Sequence, residues 1–188
     1  WKIRPALLAA SIHSILDQTY TNLEFLITYE KSLQDIDKEM EYVFENYSDD
    51  HRLKIIDSNK KGFTNALNLG LERSSGEIIA RMDSDDISEK TRFEEQIQYL
   101  EDSKSDLNGT WAHSISESDT VLGRIEPPIT HLEIRKKIMF HNPFLHPSIM
   151  FKKQILNKTG LYNSKFEGAE DYDFYFRIIH SGYQVSNT

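Results

Sequence analysis

The first half of the chain alternates between two hydrophobic patterns. In some stretches apolar residues recur every three to four positions, which is typical of amphipathic helices. Other stretches are short apolar runs bounded by turn residues, which are typical of buried strands. The predicted helices cover residues 6–17, 34–47 and the segment from Gly62 to Ser74, and the predicted strands cover residues 25–27, 53–56 and 78–82.

This alternation of helix and strand implies an α/β fold with a mostly parallel sheet flanked by helices. Parallel strands need helical crossovers, and those crossovers are right-handed. A sheet of this type should also have a strand ahead of the first helix. That position holds only residues 1–5, so we expect the first strand to lie upstream of the segment given by the sequence.

Beyond residue 86 the pattern becomes mixed. Short strand candidates stand beside helices, and Thr130 with Glu133 forms a capping-box signature. We therefore divide a single domain into two halves that share one sheet. The first half, residues 1–110, has parallel strands and is of a size to bind a nucleotide. The second half, residues 111–188, is smaller, mixed in structure and expected to bind the substrate. Helices are predicted from about residue 88 to 100, 130 to 140, near 154 and from 169 to 180, and strands at 111–115, 121–125 and 148–151.

Composition restricts the classes of function. A net charge of -8 over 188 residues argues against nucleic acid as the main partner, because a phosphate backbone demands dense lysine and arginine. The chain has no cysteine, which excludes thiolate metal sites and fits a reducing compartment. No apolar run approaches the roughly 20 residues that span a bilayer. The basic run 135–137 is explained as well by a solvated helix face as by an anionic surface.

An acidic cluster follows the third predicted strand. Asp83, Asp85 and Asp86 stand within four residues, so their mutual repulsion must be relieved by a cation, by an arginine such as Arg81 or by solvent. Open α/β sheets place ligands at the carboxyl ends of their strands, and a hard divalent ion that also touches a phosphate suits such oxygen ligands. The alternative is a solvated loop in which Asp86 or Ser88 caps the next helix.

A second acidic cluster opens the last predicted helix. Asp171 stands there between Glu170 and Asp173, either as a general base that faces a cleft or as one of several acids that favour a helix start. His146 lies between two prolines, and it is either a structural hydrogen-bonding residue or part of an oxygen and nitrogen ligand set for Mn²⁺ or Mg²⁺. Arg177, like Arg81, could balance acids or hold phosphate.

Four motifs in one order resemble the family 2 glycosyltransferases, which are inverting enzymes with the GT-A fold. The similarity runs from about residue 10 to the end of the chain. It implies a bacterial enzyme of capsule, lipopolysaccharide or exopolysaccharide biosynthesis. The motifs are SILDQTYTNLEFLI from residue 14, NKKGFTNALNLGLERSSGEIIARMDSDD from residue 59, NPFLHPSIMF from residue 142 and GAEDYDFYFRI from residue 168.

The resemblance assigns roles by position. The stretch 83–85 is similar to the DXD motif of the family, so Asp83 would contact the donor ribose and Asp85 would hold Mn²⁺ or Mg²⁺ on the diphosphate. Ser84 is assigned to donor binding with this motif. Asp171 matches the catalytic base, and His146 matches a histidine that lies near the metal in a subset of the family.

Three further assignments concern the donor, and two departures from the family pattern affect them. Arg81 and Gly62 are assigned to donor binding. The opening Pro-x-Tyr-Asn turn of the family is not found, and the stretch 29–32 replaces its Asp-Asp-Gly-Ser. Tyr29 could stack on the base and Glu30 could accept a hydrogen bond from its imino group, so the identity of the base stays open.

The resemblance thus implies a metal-dependent hexosyl- or N-acetylhexosaminyltransferase. It would move a sugar from a nucleotide-diphosphate sugar, expected to be UDP-linked, to a glycan or lipid-linked acceptor. Residues 1–110 would bind the donor, and residues 111–188 would bind the acceptor and supply the base. Because glycan acceptors are often lipid-linked, we expect a cytoplasmic protein with peripheral association at the inner face of the membrane. The alternatives are a non-catalytic sugar-nucleotide-binding module, a sugar nucleotidyltransferase and a scaffold protein.

Overall fold

The helices and strands follow the predicted order, with two additional strands. The computed structural model describes residues 5–30, 36–47, 49–116, 118 and 120–188. The helices are α1 (Pro5–Leu16), α2 (Ile36–Tyr47), α3 (Phe63–Arg73), α4 (Arg92–Asp102), α5 (His131–Lys137), α6 (Leu156–Thr159) and α7 (Glu170–His180). The strands are β1 (Phe25–Tyr29), β2 (Leu53–Asp57), β3 (Ile78–Ala80), β4 (Leu107–Gly109), β5 (Ala112–Ile115), β6 (Val121–Ile125), β7 (Met150–Lys152) and β8 (Val185–Asn187).

The strands form three sheets, and their directions are mixed. β1 and β2 are parallel, β5 and β6 form an antiparallel hairpin, and the central sheet has the order β3-β7-β4-β8. In that sheet β7 runs antiparallel to both β3 and β4. The expectation of a mostly parallel sheet is wrong for this part, because the chain enters β7 beside the carboxyl end of β3, where the Arg81 amide donates to the Ile149 carbonyl at 2.9 Å.

Strand β7 has helices packed against both of its faces. Phe151 lies in the main core with residues of α7, including Phe174 and Ile178. Met150, which points to the opposite face, packs with Phe93 of α4 and with Ile15 of α1. A strand covered on both sides reads as a continuous apolar run, and this explains why residues 148–151 were recognisable in the sequence.

A cleft separates β1 from β3. It has a volume of about 660 Å³, and it is lined by residues of both strands and of α3 and α4. Helices α1 and α2 pack on one face of β1, and α3 packs on the other face. A right-handed connection through α1 would therefore come from a parallel strand on the cleft side of β1. The expected strand ahead of α1 stays a prediction, since residues 1–4 lie outside the described ranges.

Glu24 joins the two sides of this cleft. Its carboxylate accepts hydrogen bonds from the Ser75 amide, the Ser75 hydroxyl at 2.8 Å and the Gly76 amide at 3.2 Å, all just ahead of β3. Lys54 of β2 donates to the other oxygen at 2.8 Å. The hydrogen bond from Lys54, followed by those from the backbone and Ser75, lowers the pKa of Glu24 from 4.5 to about 2 despite its burial.

Replacing Glu24 with glutamine is expected to lower the free energy of unfolding by about 1–2 kcal/mol at pH 7, because charged acceptors make the stronger hydrogen bonds. The folded pKa lies below the ordinary 4.5, so this stabilisation is present above that pH and is lost as the pH falls towards 2. Denaturant unfolding of both proteins from pH 7 to pH 3 measures the difference. An equal difference at every pH would show that the carboxylate charge is not the cause.

Candidate active site

The acidic loop after β3 is fixed at both ends by α1. The Ser11 hydroxyl donates to the Asp83 carbonyl at 2.8 Å, and the Ser88 amide donates to the Ser14 hydroxyl at 3.0 Å. Helix α4 begins only at Arg92, with Thr91 as the residue before its first turn. The alternative in which Asp86 or Ser88 caps this helix is therefore wrong, and the loop from Asp83 to Asp86 is held in place by other contacts.

Arg92 supports this loop from inside the protein. It is buried, and its guanidinium donates to the Arg81 carbonyl at 3.0 Å, to the Ser88 hydroxyl at 3.1 Å and to Gln96 at 2.9 Å. Burial, with the nearby Arg81, lowers the pKa of Arg92 to about 10, so the group is charged at pH 7. No sequence pattern indicates this role, because an arginine at a helix start is ordinarily solvated.

The three carboxylates have different surroundings. Asp83 forms an ion pair with Arg81, and Asp85 is exposed at the turn. Burial raises the pKa of Asp86, and the charges of Asp83 and Asp85 raise it further. The predicted repulsion therefore exists, and Arg81 relieves it for Asp83. Asp85 is left on the solvent side, where its oxygens are accessible to a cation.

Arg81 is a buried cation with unused donors. Its side chain is 9% exposed, and its Nη2 pairs with Asp83. Its Nε and Nη1 atoms have no hydrogen-bond partner among the described residues. Its guanidinium lies 5.8 Å from the centre of the Phe63 ring. Since a buried donor without a partner costs about 1–3 kcal/mol, these two N–H groups are suited to an anionic or polar ligand that enters the site.

Asp171 is held by hydrogen bonds at the start of α7. Its Oδ2 accepts from Asn142 Nδ2 at 2.6 Å, and its Oδ1 accepts from the Tyr172 amide at 2.7 Å. Asn142 belongs to the NPFLHPS loop. Its hydrogen bond to Asp171 therefore joins the motif that begins at residue 142 to the motif that begins at residue 168. No local pattern marks Asn142 as a functional residue, because its partner is 29 positions away.

The neighbouring acids of α7 have structural partners. Glu170 is buried and accepts from the Gly168 amide. Asp173 pairs with Arg177 at 2.8 Å, and Arg177 also donates to the Leu161 carbonyl at 2.9 Å. Of the two readings of Arg177, the structure thus favours the balancing of an acid over the binding of phosphate. Asp171 is the member of this cluster whose contacts orient it beside the loop that carries His146.

The pKa of the buried Tyr175 is affected by charges from both acidic clusters. Burial raises the pKa of Tyr175, the charges of Tyr162, Asp171 and Asp83 raise it further, and Arg81 opposes them. The Tyr175 hydroxyl is therefore within electrostatic reach of both Asp171 and Asp83. It has no hydrogen-bond partner in the part of the chain that the structure describes. Residues about 90 positions apart in the sequence thus act on one hydroxyl.

His146 lies in the same neighbourhood. Its Nε2 is 2.9 Å from the Tyr162 hydroxyl, and its ring meets that of Tyr175 edge-on with centres 6.3 Å apart. Burial, with the charge of Arg81, lowers the pKa of His146 to about 2, so the imidazole is neutral at pH 7. A neutral imidazole can bind a metal, but here Nε2 is already engaged, so ligation would need the other nitrogen or the loss of this bond.

A divalent cation would have to share its ligands with a bound substrate. Among the described residues, no group of three or more histidine, aspartate or glutamate side chains is arranged to hold a metal. Mg²⁺ is usually bound through one or two carboxylates together with substrate phosphates. The exposed, hard oxygens of Asp85 fit this arrangement, and they do not fit a cage formed by the protein alone.

The predicted donor residues at the ends of β1 and β2 are brought together in part. Glu30 Oε2 accepts from the Gly62 amide at 3.1 Å, just before α3. Gly62 has a φ of 105°, which favours glycine, and an added Cβ would lie 3.2 Å from the Glu167 carboxylate. The Tyr29 ring packs partly buried against the cluster of α1 and α2. Stacking of Tyr29 on a base therefore stays a prediction, and Lys31 and Ser32 lie outside the described residues.

The sequence was compared with known families and proteins. It matches the family described as Glycosyl transferase family 2 over residues 2–160. The chain belongs to glycosyltransferase family 2. A relative in this family, the O-antigen biosynthesis glycosyltransferase WbnJ of Escherichia coli, is 35% identical over 171 residues, which cover 90% of this chain and 65% of that protein.

Solved structures show that this family 2 chain has the GT-A fold, which confirms the predicted α/β class. TarS 1–349 from S. aureus with UDP-GlcNAc gives a TM-score of 0.73, covering 96% of this chain and 52% of that one. The mannosyltransferase PcManGT from Pyrobaculum calidifontis with GDP-Man and Mn²⁺ gives 0.72, covering 100% and 52%. Each is 18% identical. The chain spans about half to two thirds of the length of these three proteins. No helix of its described part is long and apolar enough to cross a membrane.

Proposed function

We propose that this family 2 protein is an inverting glycosyltransferase that moves a sugar from a nucleotide-diphosphate sugar to a hydroxyl group of an acceptor. The observation that supports this most is Arg81, a buried guanidinium with two unpaired N–H groups beside Asp83 and near the tyrosines that Asp171 also influences. A cation in such a position favours a ligand with negative charge, and the diphosphate of a sugar nucleotide carries it.

On the donor side, Arg81 binds a diphosphate oxygen and Asp83 accepts from the ribose hydroxyl groups. Ser84 lies in the same turn, and Glu30, held by the Gly62 amide, faces the base. Bound to Asp85 and the diphosphate, Mn²⁺ or Mg²⁺ would neutralise charge on the leaving group. Arg92 contributes indirectly, because it holds the Arg81 carbonyl and thereby the backbone that presents these side chains.

On the acceptor side, Asp171 takes the proton from the acceptor hydroxyl. The acceptor oxygen then forms a bond with the anomeric carbon while the bond from that carbon to the diphosphate oxygen breaks, so the configuration inverts. Asn142 donates to one carboxylate oxygen and the Tyr172 amide donates to the other, which fixes the direction of the group. The proposed donor-binding residues thus lie within positions 1–110, and the proposed catalytic base, Asp171, lies within positions 111–188.

The printed names of similar proteins support a finer proposal for the substrates. WbnJ is named for O-antigen biosynthesis, and TarS has been solved with UDP-GlcNAc. We therefore propose a UDP-linked hexose or N-acetylhexosamine as donor, a glycan or lipid-linked glycan as acceptor, and a reaction at the cytoplasmic side of the membrane. Family membership speaks against a sugar nucleotidyltransferase, which would release pyrophosphate.

Replacing Arg81 with methionine tests the donor site. Loss of a charged donor from a phosphate contact is expected to weaken donor binding by about 10- to 100-fold. The measurement is calorimetric titration of a panel of nucleotide sugars, with Mn²⁺ present, into both full-length proteins. Arg124→Met is the matched control, because Arg124 lies on the exposed hairpin over the Trp111 ring. Unchanged affinity in a folded Arg81→Met protein would reject the proposed site.

A further inference from the structure

The outer face of α5 and the turn after it is both apolar and basic. Leu132, Met139 and Phe140 are 61%, 60% and 80% exposed. Arg135 and Lys136 are exposed between them. These positions recur at intervals of three to four residues, so they form one stripe along the helix. We call Leu132, Arg135, Lys136, Met139 and Phe140 the α5 stripe.

The α5 stripe faces solvent because the opposite side of the same segment is packed in the protein core. Ile134 and Ile138, which lie on the opposite side of the same turns, are 0% and 1% exposed in the main core. The turn after α5 is closed by hydrogen bonds from the Phe140 and His141 amides to the Lys137 carbonyl, at 3.0 and 2.9 Å. Exposure of Phe140 is therefore a property of the folded structure, and a rotation that buried it would expose both isoleucines.

The charge of this segment is opposite to that of the protein as a whole. Residues 131–141 carry Arg135, Lys136 and Lys137 against Glu133, while the chain has a net charge of -8. The Glu133 carboxylate is turned to the helix start, where it accepts from the Thr130 amide at 3.1 Å and the Thr130 hydroxyl at 2.8 Å. Its carboxylate is thereby engaged at the helix start, although Glu133 still interacts with the charge of Lys136.

We propose that the α5 stripe docks on the surface of an anionic phospholipid bilayer. Peripheral proteins are held on membranes by two contributions that act together. Apolar side chains enter the headgroup region, and neighbouring cations bind anionic lipids. A basic surface on an acidic protein also orients the molecule, since the rest of its charge is repelled by the same lipids.

The stripe lies beside the proposed acceptor site. Two residues after Phe140, Asn142 donates to the Asp171 carboxylate, and the Tyr172 hydroxyl donates to the Ile138 carbonyl. A protein docked through this face has its base close to the bilayer, where the headgroup end of a lipid-anchored acceptor lies. This use of the surface rests on the proposed function, whereas lipid binding itself does not.

Co-sedimentation of the full-length protein with vesicles tests the proposal. The protein is expected to bind vesicles that contain phosphatidylglycerol more tightly than vesicles of phosphatidylcholine alone, and to bind less tightly as salt rises. Phe140→Ser is expected to weaken binding by at least about tenfold. The double reversal Arg135→Glu with Lys136→Glu should do the same and reduce the salt dependence, since each cation near such a surface contributes about fivefold.

Two variants serve as controls. Leu122→Ser changes an apolar side chain that is 67% exposed on the β5–β6 hairpin, and Lys104→Glu reverses an exposed cation elsewhere. Both should bind vesicles as the wild type does. Equal binding to both kinds of vesicle, or equal loss in the controls, would overturn the proposal. If Phe140→Ser abolished self-association in sedimentation velocity and left vesicle binding unchanged, the stripe would be a protein contact. Donor titration of the same variants tests the proposed function separately.

Discussion

An Asp171→Asn protein is expected to bind the sugar nucleotide as tightly as the wild type and to transfer no measurable sugar. Asparagine preserves the shape of the side chain but cannot take a proton from the acceptor, and general-base assistance is typically worth ~10²–10⁴ in rate. The proposed donor contacts come from the loop after β3, so they should persist. Calorimetry with the donor and Mn²⁺, combined with a coupled assay for released nucleoside diphosphate, measures both quantities.

Asp173→Asn is the matched control for this substitution. Asp173 lies two residues away on the same helix, and its carboxylate pairs with Arg177. We expect it to lower stability and to leave the transfer rate within about tenfold of the wild type. Loss of donor binding in a folded Asp171→Asn protein would contradict the assignment of this residue to the acceptor side, and so would a normal transfer rate.

Replacing Asp85 with alanine is expected to remove the metal dependence of donor binding. In the wild type, Mn²⁺ should tighten binding of the nucleoside diphosphate, because Asp85 would hold the cation and the cation would offset the negative charge of the phosphates. Without the carboxylate, we expect affinity in the presence of Mn²⁺ to fall by at least about tenfold, close to that measured with a chelator. Titrations of both proteins with and without EDTA make the comparison.

Glu89→Ala controls for a general loss of negative charge near the loop, because Glu89 is exposed a few residues farther along the chain. It should keep the response to Mn²⁺. If the Asp85→Ala protein kept its full affinity and its full response to Mn²⁺, Asp85 would not be a metal ligand. The same titrations on a His146→Ala protein decide whether the histidine contributes, since its Nε2 already meets the Tyr162 hydroxyl.

Local patterns were sufficient to predict most elements. Helix α1 was predicted as 6–17 and spans Pro5–Leu16, and α7 was predicted as 169–180 and spans Glu170–His180. Their apolar stripes are long enough to set the helical period. The capping box of Thr130 and Glu133 is also confirmed, because it depends on four consecutive residues. The helix it begins ends at Lys137 rather than near Phe140.

Strands β4 and β8 could not be predicted from the sequence. Leu107–Gly109 and Val185–Asn187 contain asparagine, serine and glycine, which have low strand propensity. Most of their polar side-chain atoms have hydrogen-bond partners inside the protein, although Asn187 Oδ1 has none among the described residues. Asn108 Nδ2 donates to the Ser186 hydroxyl at 3.2 Å, and Gln96 donates to Asn108 Oδ1 at 3.0 Å. Such contacts join residues that are far apart in the chain.

In the candidate site, too, residues in local motifs were predictable and residues whose roles depend on distant partners were not. Asp83, Asp85 and Asp171 were recognised because each stands in a short motif at an element boundary. Asn142 was missed because its partner Asp171 is 29 positions away. Arg92 was missed because its role depends on burial and on the Arg81 carbonyl, which no local pattern places beside it. The position of Tyr29 also follows from the fold, since alternation along β1 places its ring with Phe25 and Ile27 against α1 and α2.

The most direct test of the account is a structure of the Asp171→Asn protein with an intact nucleotide sugar and Mn²⁺. The account predicts that the diphosphate contacts Arg81 and a cation on Asp85. It also predicts that residue 171 faces the anomeric carbon from the side opposite the diphosphate. A nucleotide sugar bound elsewhere on the protein, or a residue 171 that lies on the diphosphate side of the sugar, would contradict it.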